Sequence, residues 1–485
     1  MIEFIIKLHP EIAIKSKSVR KRQTLLLERN IRTILLRVDD NTEVKNNFDH
    51  ITVRCPSDDA ALKQQLIDRL SCIPGIVHFS EMQSSSFSSL HDIYQQVAEV
   101  YAEQLHDKTF CVRIRREGSH EFSSLEAERY VGGGLNQLVS SARVKLSKPD
   151  VTVALEIRKD RLIMVRKQHQ GMGGFPLPSQ SDVLSLISGG YDSAVASYLM
   201  IRKGLRTHYL FFNLGGAAHE AGVREMAHLI WQKYSLSHKV KFVSVNFAPV
   251  VEQILENIDS GLMGVVLKRM MMRAASGVAE SLGIKAIVTG ESIGQVSSQT
   301  ITNLSVIDRV TETLILRPLI YHDKQEIIDM ARKIGAEDIA KSMPEYCGVI
   351  SKKPTVNAVL AEVLATEQNF DFSVLDQVVQ TAKVLDIRTI DYQADQQAHV
   401  VSELAELPAD AIVLDVRSPE ETDTKPFTLA SHKVVQLPFF RLASQFVNLD
   451  QSKQYYCYCE HGVMSRLQAL VLQEQGFTNV AVYRP

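Results

Sequence analysis

The sequence predicts a multidomain α/β protein whose largest part is a doubly wound parallel sheet. Three observations predict it. Four apolar runs in the middle of the chain, VLSLI, HYLFFNL, KFVSVNF and AIVTG, alternate with helical stretches. Strands that are apolar throughout belong in a parallel sheet covered on both faces. The chain has 485 residues, too many for a single core. The segment QHQGMGGFPLPSQS, residues 168–181, is Gly- and Pro-rich and reads as a linker ahead of that sheet.

Taken in order, residues 1–60 form a small α/β unit. A strand over Phe4–Leu8 precedes a long helix with Leu25, Leu26, Ile31, Ile34 and Leu35 at helical spacing, and Ile51–Arg54 is a second strand. Residues 61–165 alternate helix and strand. In FCVRIRREGSHEFSS, Val112 and Ile114 point one way and Arg113 and Arg115 the other, a half-buried strand with a basic face. VTVALEIRKDRLIMV reads as two strands around a Lys-Asp turn. The sheet domain occupies 176–395, with a less ordered stretch over roughly 366–403. Residues 404–485 form a last α/β domain with strands in AIVLDVR, KVVQLPF and QYYCYC and a helix in SRLQALVLQEQG.

Net charge is −2, which alone argues for no polyanion partner. The distribution argues otherwise. Residues 11–37 hold eight Lys/Arg, among them Lys21 and Arg22, against Glu11 and Glu28. Residues 141–168 hold eight more, including Arg143 and Lys145, against three acids. Positive charge gathered in the first third is the footprint of a nucleic-acid face, with Arg113 and Arg115 as further contacts. A solvated helix face would look similar. No apolar run spans a bilayer, and the N-terminus lacks the pattern of a signal peptide, so a cytoplasmic protein is expected. The six cysteines are scattered, which argues for reduced thiols rather than a disulfide framework. Cys55, Cys72 and Cys111 fall in core strands or helices and read as structural.

The strand VLSLI runs directly into SGGYDS, Ser188–Ser193, and then a helix. Two glycines at a strand-to-helix turn allow close backbone approach, and the helix N-terminus adds partial positive charge. That combination holds an anion. Asp192 would repel phosphate, so it serves Mg²⁺ or orients the loop. A second loop, TGESIGQVSSQT, also follows a sheet strand, so Gly290, Glu291, Ser292 and Gln299 face the same crevice. Lys268 and Arg273 lie on one helix, and one or both could neutralise phosphate. A helix-capping Ser/Gly turn uses the same residue types, but its place at the carboxyl edge of a parallel sheet favours a nucleotide.

SGGYDS lacks the Lys of Walker A and resembles the PP-loop of ATP pyrophosphatases, which cleave ATP between α- and β-phosphates. With TGESIGQVSSQT it resembles the tRNA 4-thiouridine synthase (ThiI) family, in the long form with a C-terminal rhodanese-like domain. The resemblance covers the whole chain: a ferredoxin-like unit over 1–60, a THUMP RNA-binding domain over 61–165, the PP-loop domain over 176–395 and the rhodanese-like domain over 404–485. It implies ATP contacts from Leu186, Ile187, Lys268, Gly290 and Gln299, alongside the loop residues Ser188, Gly189, Gly190 and Ser193, and a role for Asp192 in adenylation. ATP with Mg²⁺ is the implied co-substrate, without a fixed metal site or a bound iron–sulfur cluster. The implied reaction activates O4 of uridine 8, near the tRNA acceptor stem, and replaces it with sulfur. The same sulfur is implied for thiamine thiazole, through a sulfur-carrier protein.

VLDVRSPEE, Val413–Glu421, resembles the rhodanese D-x-R-x-x-x-E motif, and CEHGVMS fits its active loop C-x-x-G-x-x-S. The resemblance implies that Cys459 ends a strand, with backbone N–H groups of the loop pointing at its sulfur and stabilising a persulfide. Cys457, two residues back on the same side, reads as a small buried hydrophobe. Many rhodaneses carry Arg where this loop has Met464, which favours loading by a cysteine desulfurase over an anionic donor. Cys347, in SMPEYCGVISKKP, reads alone as a filler; the family pattern makes it the thiol that resolves the Cys459 persulfide through a transient disulfide. Delivery across domains implies movement of the rhodanese domain or exchange within a homodimer. A PP-loop synthetase or amidotransferase explains SGGYDS but neither the basic domain nor Cys459. A persulfide relay protein leaves the intact nucleotide loops unexplained.

Overall fold

The computed structural model describes residues 1–47, 50–214, 216–343, 353–390, 401–417, 419–460 and 463–485. The chain divides into two compact units, one formed mainly by Met1–Ser179 and one by the rest.

The first unit is one eight-stranded sheet. Its strands are β1 (Ile2–Leu8), β2 (Glu43–Asn46), β3 (Ile51–Cys55), β4 (Ile76–Ser86), β5 (Thr109–Glu117), β6 (Arg143–Val144), β7 (Val151–Arg158) and β8 (Arg161–Gln170), in the order β2-β3-β1-β4-β8-β7-β5-β6. The sheet runs through both N-terminal stretches without a break, because β4, from the second, pairs antiparallel with β1, from the first, over Glu3–Leu8. Helices α1 (Lys17–Leu35), α2 (Ala60–Ser71), α3 (Leu90–Tyr101) and α4 (Ser124–Leu138) complete the unit. Burial in β5 alternates as expected, with Val112 and Ile114 inside and Arg113 and Arg115 outside. Leu25 is an exception to the helical pattern: it is exposed, and the inward face of α1 instead carries Gln23, Thr24, Leu27, Asn30, Ile31 and Ile34. The physical reason is tertiary: Asn30 Nδ2 donates to Leu177 O at 2.7 Å, so a polar residue holds a core position.

That bond also revises the expected linker. β8 continues to Gln170, the Gly171 N–H donates to Val77 O, and the Gly173 N–H donates to Ile76 O. Leu177 is fully buried. The Gly residues are there for close packing: a Cβ at Gly171 would lie 2.3 Å from Ile76 O.

The second unit holds two sheets. The larger comprises β9 (Val183–Leu186), β10 (Thr207–Asn213), β11 (Lys241–Asn246), β12 (Ala286–Val288), β13 (Leu314–Leu316) and β14 (Lys383–Asp386), in the order β13-β12-β9-β10-β11-β14. All pairs are parallel except β11–β14. The chain winds from β9 through β10 to β11, then returns to the other side of β9 with β12 and β13. A doubly wound sheet binds its ligand where the strand order reverses, here between the carboxyl ends of β9 and β12. Its helices are α5 (Tyr191–Arg202), α6 (Gly216–Tyr234), α7 (Ala248–Asn257), α8 (Met263–Ser281), α9 (Ile301–Asp308), α10 (Lys324–Ile334), α11 (Glu337–Ser342), α12 (Leu360–Glu367) and α13 (Ser373–Gln380). The stretch expected to be less ordered thus contains α13 and the antiparallel edge strand β14. Leu375 and Val378 of α13 bury into the core against α8, which is what orders it.

The smaller sheet is all parallel, in the order β15-β19-β18-β16-β17, from β15 (Glu403–Leu404), β16 (Ile412–Asp415), β17 (Lys433–Gln436), β18 (Tyr455–Tyr458) and β19 (Val480–Tyr483). It carries α14 (Phe439–Gln445) and α15 (Val463–Glu474). Among the described residues no helix is long and apolar enough to cross a membrane.

Candidate active site: a nucleotide crevice and a cysteine loop

SGGYDS leaves β9 at the switch point. Gly189 adopts φ +81°, the left-handed turn that brings the chain into α5. Serines brace the loop: Ser193 Oγ accepts from the Ser188 N–H at 3.2 Å and donates to Gly190 O at 3.1 Å, and Ser197 Oγ donates to Ser193 O at 2.8 Å. The Ile187 N–H is bound to Leu210 O, so the loop starts from a fixed sheet position.

The loop after β12 closes on this turn. A Cβ at Gly290 would lie 2.7 Å from the Asp192 carbonyl carbon and 2.8 Å from Ser193 N, so at this point the two loops meet backbone against backbone. Gln295 Nε2 donates to Asp192 Oδ2 at 2.9 Å. Lys324, at the start of α10, places Nζ 2.9 and 3.0 Å from the two Asp192 oxygens and lies 5.6 Å from the Tyr191 ring centroid. Asp192 is therefore held by a cation and an amide, the geometry of a residue that orients its loop. Among the described residues no group of three His, Cys, Asp or Glu side chains is disposed to hold a metal.

Glu291, Ser292 and Gln299 do not line the crevice freely. All three are buried. Glu291 accepts from Arg317 Nε at 2.8 Å and from Thr289 Oγ1, Ser292 Oγ donates to His322 O, and Gln299 Oε1 accepts from the Ser292 N–H at 3.2 Å. A loop this polar, buried beside a sheet, must satisfy its own groups. The choice between Lys268 and Arg273 is also narrowed. Arg273 reaches Glu367 at 3.4 Å and stacks over Phe372, beside the buried Arg269–Glu367 pair. Lys268 makes no ion pair among the described residues, and its helix packs against the turn that carries Gln299.

Three contributors escape sequence reasoning. Lys324 is one. His219, in the first turns of α6, is buried edge-on against Phe211 at 4.8 Å and faces the Ser188 backbone. Burial pushes its imidazole down to about 4, with the Ser188 backbone opposing the shift. Met343 is the third. Its side chain fills space left by two glycines: a Cβ at Gly189 would lie 2.7 Å from Met343 Cε, and one at Gly222 of α6 would lie 2.6 Å from Sδ. The signal available in the sequence was the Gly222 that follows His219 by three residues, on the same helix face. Cys347 lies outside the described residues.

At the second sheet, Cys459 stands just past the carboxyl end of β18. The Ser465 N–H, in the first turn of α15, donates to Cys459 Sγ at 3.3 Å, and the thiol lies 3.4 Å from Ser465 Oγ. The sulfur thus sits at the mouth of α15 with a backbone donor aimed at it. Cys457 is fully buried in β18 with Tyr455, and burial, then the neighbouring Cys459 sulfur, pushes its thiol far up. On the adjacent strand Asp415 and Arg417 form a buried bidentate pair at 2.8 and 2.6 Å, and Arg417 Nη1 donates to Lys425 O. Arg417 lies over the Tyr458 and Phe427 rings, and Lys425 pairs with Glu460, next to Cys459, at 2.5 Å. Arg466 is paired with Glu403, so the nearest arginine is not directed at the sulfur. Cys55 and Cys111 are buried, Cys72 half-buried.

Five of the basic residues singled out in the first unit lie at two edges of its sheet. Arg113, Arg143 and Lys145 meet at the β5–β6 edge, where Arg113 Nη2 donates to Leu146 O at 3.1 Å. Lys21 and Arg22 are exposed on the first turns of α1, which packs on β2 at the opposite edge strand of the sheet.

A glycine turn at a sheet switch point thus stands in one chain with a cysteine at the mouth of a helix. Comparison with known proteins shows where this combination occurs. Residues 178–372 match the family described as thiamine biosynthesis protein (ThiI), residues 3–80 its ferredoxin-like domain, residues 87–165 the THUMP domain and residues 398–484 the rhodanese-like domain. The tRNA sulfurtransferase of Tolumonas auensis is 59% identical over 483 residues and that of Shewanella baltica 57% over 484, each covering 100% of both chains. A crystal structure of a 4-thiouridine synthetase–RNA complex with bound ATP shares the fold, with a TM-score of 0.67 and 24% identity over 80% of this chain and 99% of that one. The chain belongs to the tRNA sulfurtransferase (ThiI) family, in the form that ends in a rhodanese-like domain.

Proposed function

We propose that the protein is a cytoplasmic, ATP-dependent tRNA sulfurtransferase that converts uridine 8 to 4-thiouridine. The observation that carries the reading is the closure of the Gly290 loop on the SGGYDS turn, in the same chain as a loop that aims a backbone donor at Cys459. The basic first unit, divided as 1–60 and 61–165, presents tRNA. The 176–395 domain adenylates it, and the 404–485 domain brings sulfur.

MgATP is held by the loop N–H groups and the α5 N-terminus, with Lys268 and Lys324 offsetting phosphate charge. Leu186, Ile187, Gly290 and Gln299 border the nucleotide. Uridine O4 attacks the α-phosphate and pyrophosphate leaves. A cysteine desulfurase loads Cys459 as a persulfide. Its terminal sulfur bonds to C4, and AMP departs with O4. The Cys347 thiolate then attacks Cys459 Sγ, the S–S bond to the nucleotide breaks, and 4-thiouridine leaves as its thiolate. The Cys347–Cys459 disulfide is reduced by an external dithiol. The same persulfide supplies the sulfur-carrier protein of thiamine synthesis.

The test is a single-turnover assay with unmodified tRNA, ATP, Mg²⁺, and a cysteine desulfurase with cysteine, reading 4-thiouridine by near-UV absorbance. Wild type and Cys457→Ser are expected to form product, and Asp192→Ala, Cys347→Ser and Cys459→Ser none. AMP release without thiouridine in wild type would sink the tRNA substrate. For the thiamine branch, thiocarboxylate formation on the carrier is expected to vanish in Cys459→Ser.

A further inference from the structure

In the second unit, one helix lies against the SGGYDS turn and also packs on the helix that follows Cys459. The first turns of α6 carry His219, which faces Ser188, and Gly222, which receives Met343 above Gly189. The same helix packs against α15, which begins directly after the Cys459 loop. Beside this contact α14 packs on α7, and Arg441 of α14 donates Nη2 and Nε to Glu256 Oε1 of α7 at 3.0 and 3.2 Å. The pair is partly exposed, the two side chains at 48% and 31%. A packed helix pair with a charged rim is the anatomy of a docking surface that can open.

We infer that the α6–α7 face is the docking surface for the persulfide-bearing domain of the same chain, with Arg441 and Glu256 as its positioning residues, so that sulfur passes from Cys459 to the adenylated uridine within one chain. This rests on the sulfurtransferase reading above. Three features favour docking in cis. The docked faces belong to one compact unit. The ion pair joins α7 to α14, neither of which carries a residue of the two loops, so it sets the relation of the two domains from outside both loops. Its exposure makes it weak enough to break between loading by a protein donor and delivery, since exposed pairs contribute little.

The first test uses full-length protein preloaded as the Cys459 persulfide, with tRNA and ATP. Glu256→Arg and Arg441→Glu are each expected to slow thiouridine formation about three- to tenfold, leave AMP formation on tRNA unchanged, and reverse the salt dependence of the transfer rate, because salt screens the like-charge pair each creates. The combined E256R/R441E protein is expected to recover most of the rate, which a merely structural role would not produce. Single variants as fast as wild type, or a double variant no faster than the singles, would overturn the inference. The second test mixes Asp192→Ala chains with Cys459→Ser chains. No thiouridine above either protein alone is expected, and product from the mixture would overturn delivery in cis. The third test does not depend on activity. The E256C/R441C protein is oxidised and the linked peptides are identified by mass spectrometry. A 256–441 link within monomers is expected; its absence overturns the docked geometry even if wild type makes no thiouridine, an outcome that would sink the functional reading separately.

Discussion

Lys324 Nζ lies 2.9 and 3.0 Å from the two carboxylate oxygens of Asp192, 132 residues away in the chain. The pair joins α10 to the nucleotide loop from the far side of the sheet's switch point. The carboxylate holds the ammonium against the SGGYDS turn.

Removal of Lys324 is therefore expected to impair chemistry and leave folding intact. The pair is partly exposed, 42% at Lys324 and 25% at Asp192, so its contribution to stability is below about 1 kcal/mol. Lys324→Met is expected to slow AMP formation on tRNA by roughly 10² or more, the loss typical of one transition-state charge contact. Melting should move by little. An unchanged single-turnover rate would remove Lys324 from the site.

Gly290 tests the contact between the two loops. Its missing Cβ would fall within 3 Å of Asp192 C, Asp192 O and Ser193 N, all backbone atoms that cannot rotate away. Gly290→Ala is expected to cost about 1–3 kcal/mol by overpacking and to raise KM for ATP about tenfold as the loops part. Thermal melting and initial rates against ATP concentration check the two effects. A variant with native KM would mean the loops part without consequence for ATP.

The switch point is legible in the sequence because four apolar runs leave no doubt about a parallel sheet, and SGGYDS and TGESIGQVSSQT each follow one of them. Cys459 is legible through the resemblance of CEHGVMS to the rhodanese loop, and the structure has it just past β18 and just before α15. Lys324 is not legible: a lysine at a helix start has no distinguishing spacing, and its meaning comes from a pairing 132 residues away. His219 looks like any histidine in an amphipathic helix until Ser188 is beside it. β14 escapes because KVLD is short and half-exposed, and it is ordered by the open edge of β11. Leu25 misleads because Asn30, a polar residue, takes the inward face through a bond to Leu177 O.

His219 gives a pH dependence with a definite sign. Its folded value is pushed down to about 4, while an unfolded histidine titrates near 6.5. Between those values the unfolded chain binds the proton and the folded one does not, so stability falls as pH falls from 6.5 toward 4, by up to about 3 kcal/mol. His219→Asn is expected to flatten that part of the profile. The check is the difference in melting temperature between the two proteins from pH 7 to pH 4.5. Parallel curves would contradict the burial of a neutral imidazole against Ser188.

The two cysteines of β18 and its loop should behave as opposites. Cys459 is half-buried with a backbone donor on its sulfur; Cys457 is fully buried, and burial drives its thiol up. Iodoacetamide at pH 8 is expected to label Cys459 in the native protein and Cys457 after unfolding. Because the folded value of Cys457 is raised, its contribution to stability is complete below about pH 8.5 and declines as pH rises above that. Cys457→Ser places a hydroxyl in an apolar core and is expected to cost about 1–3 kcal/mol while thiouridine formation persists. Native labelling of Cys457, found by peptide mass spectrometry, would overturn its structural assignment.

The last prediction concerns the sulfur donor. An anionic donor such as thiosulfate needs a cation beside the persulfide loop, and here that position is Met464, half-buried against the core of the domain. Arg466 does not substitute for it, since its guanidinium is paired with Glu403, and Lys425 is paired with Glu460. Thiosulfate is therefore expected to load Cys459 poorly, while a cysteine desulfurase, which brings its sulfur on a protein surface, loads it well. Met464→Arg, whose long side chain can keep its aliphatic stem on the core and its charge at the loop, is expected to raise thiosulfate:cyanide transfer about five- to tenfold, the effect of one added charge near a partly exposed site. Desulfurase-driven persulfide formation should stay within about twofold, because that donor carries no free anion for the new charge to attract. Efficient thiosulfate turnover by the wild-type protein would show that Met464 does not decide the donor.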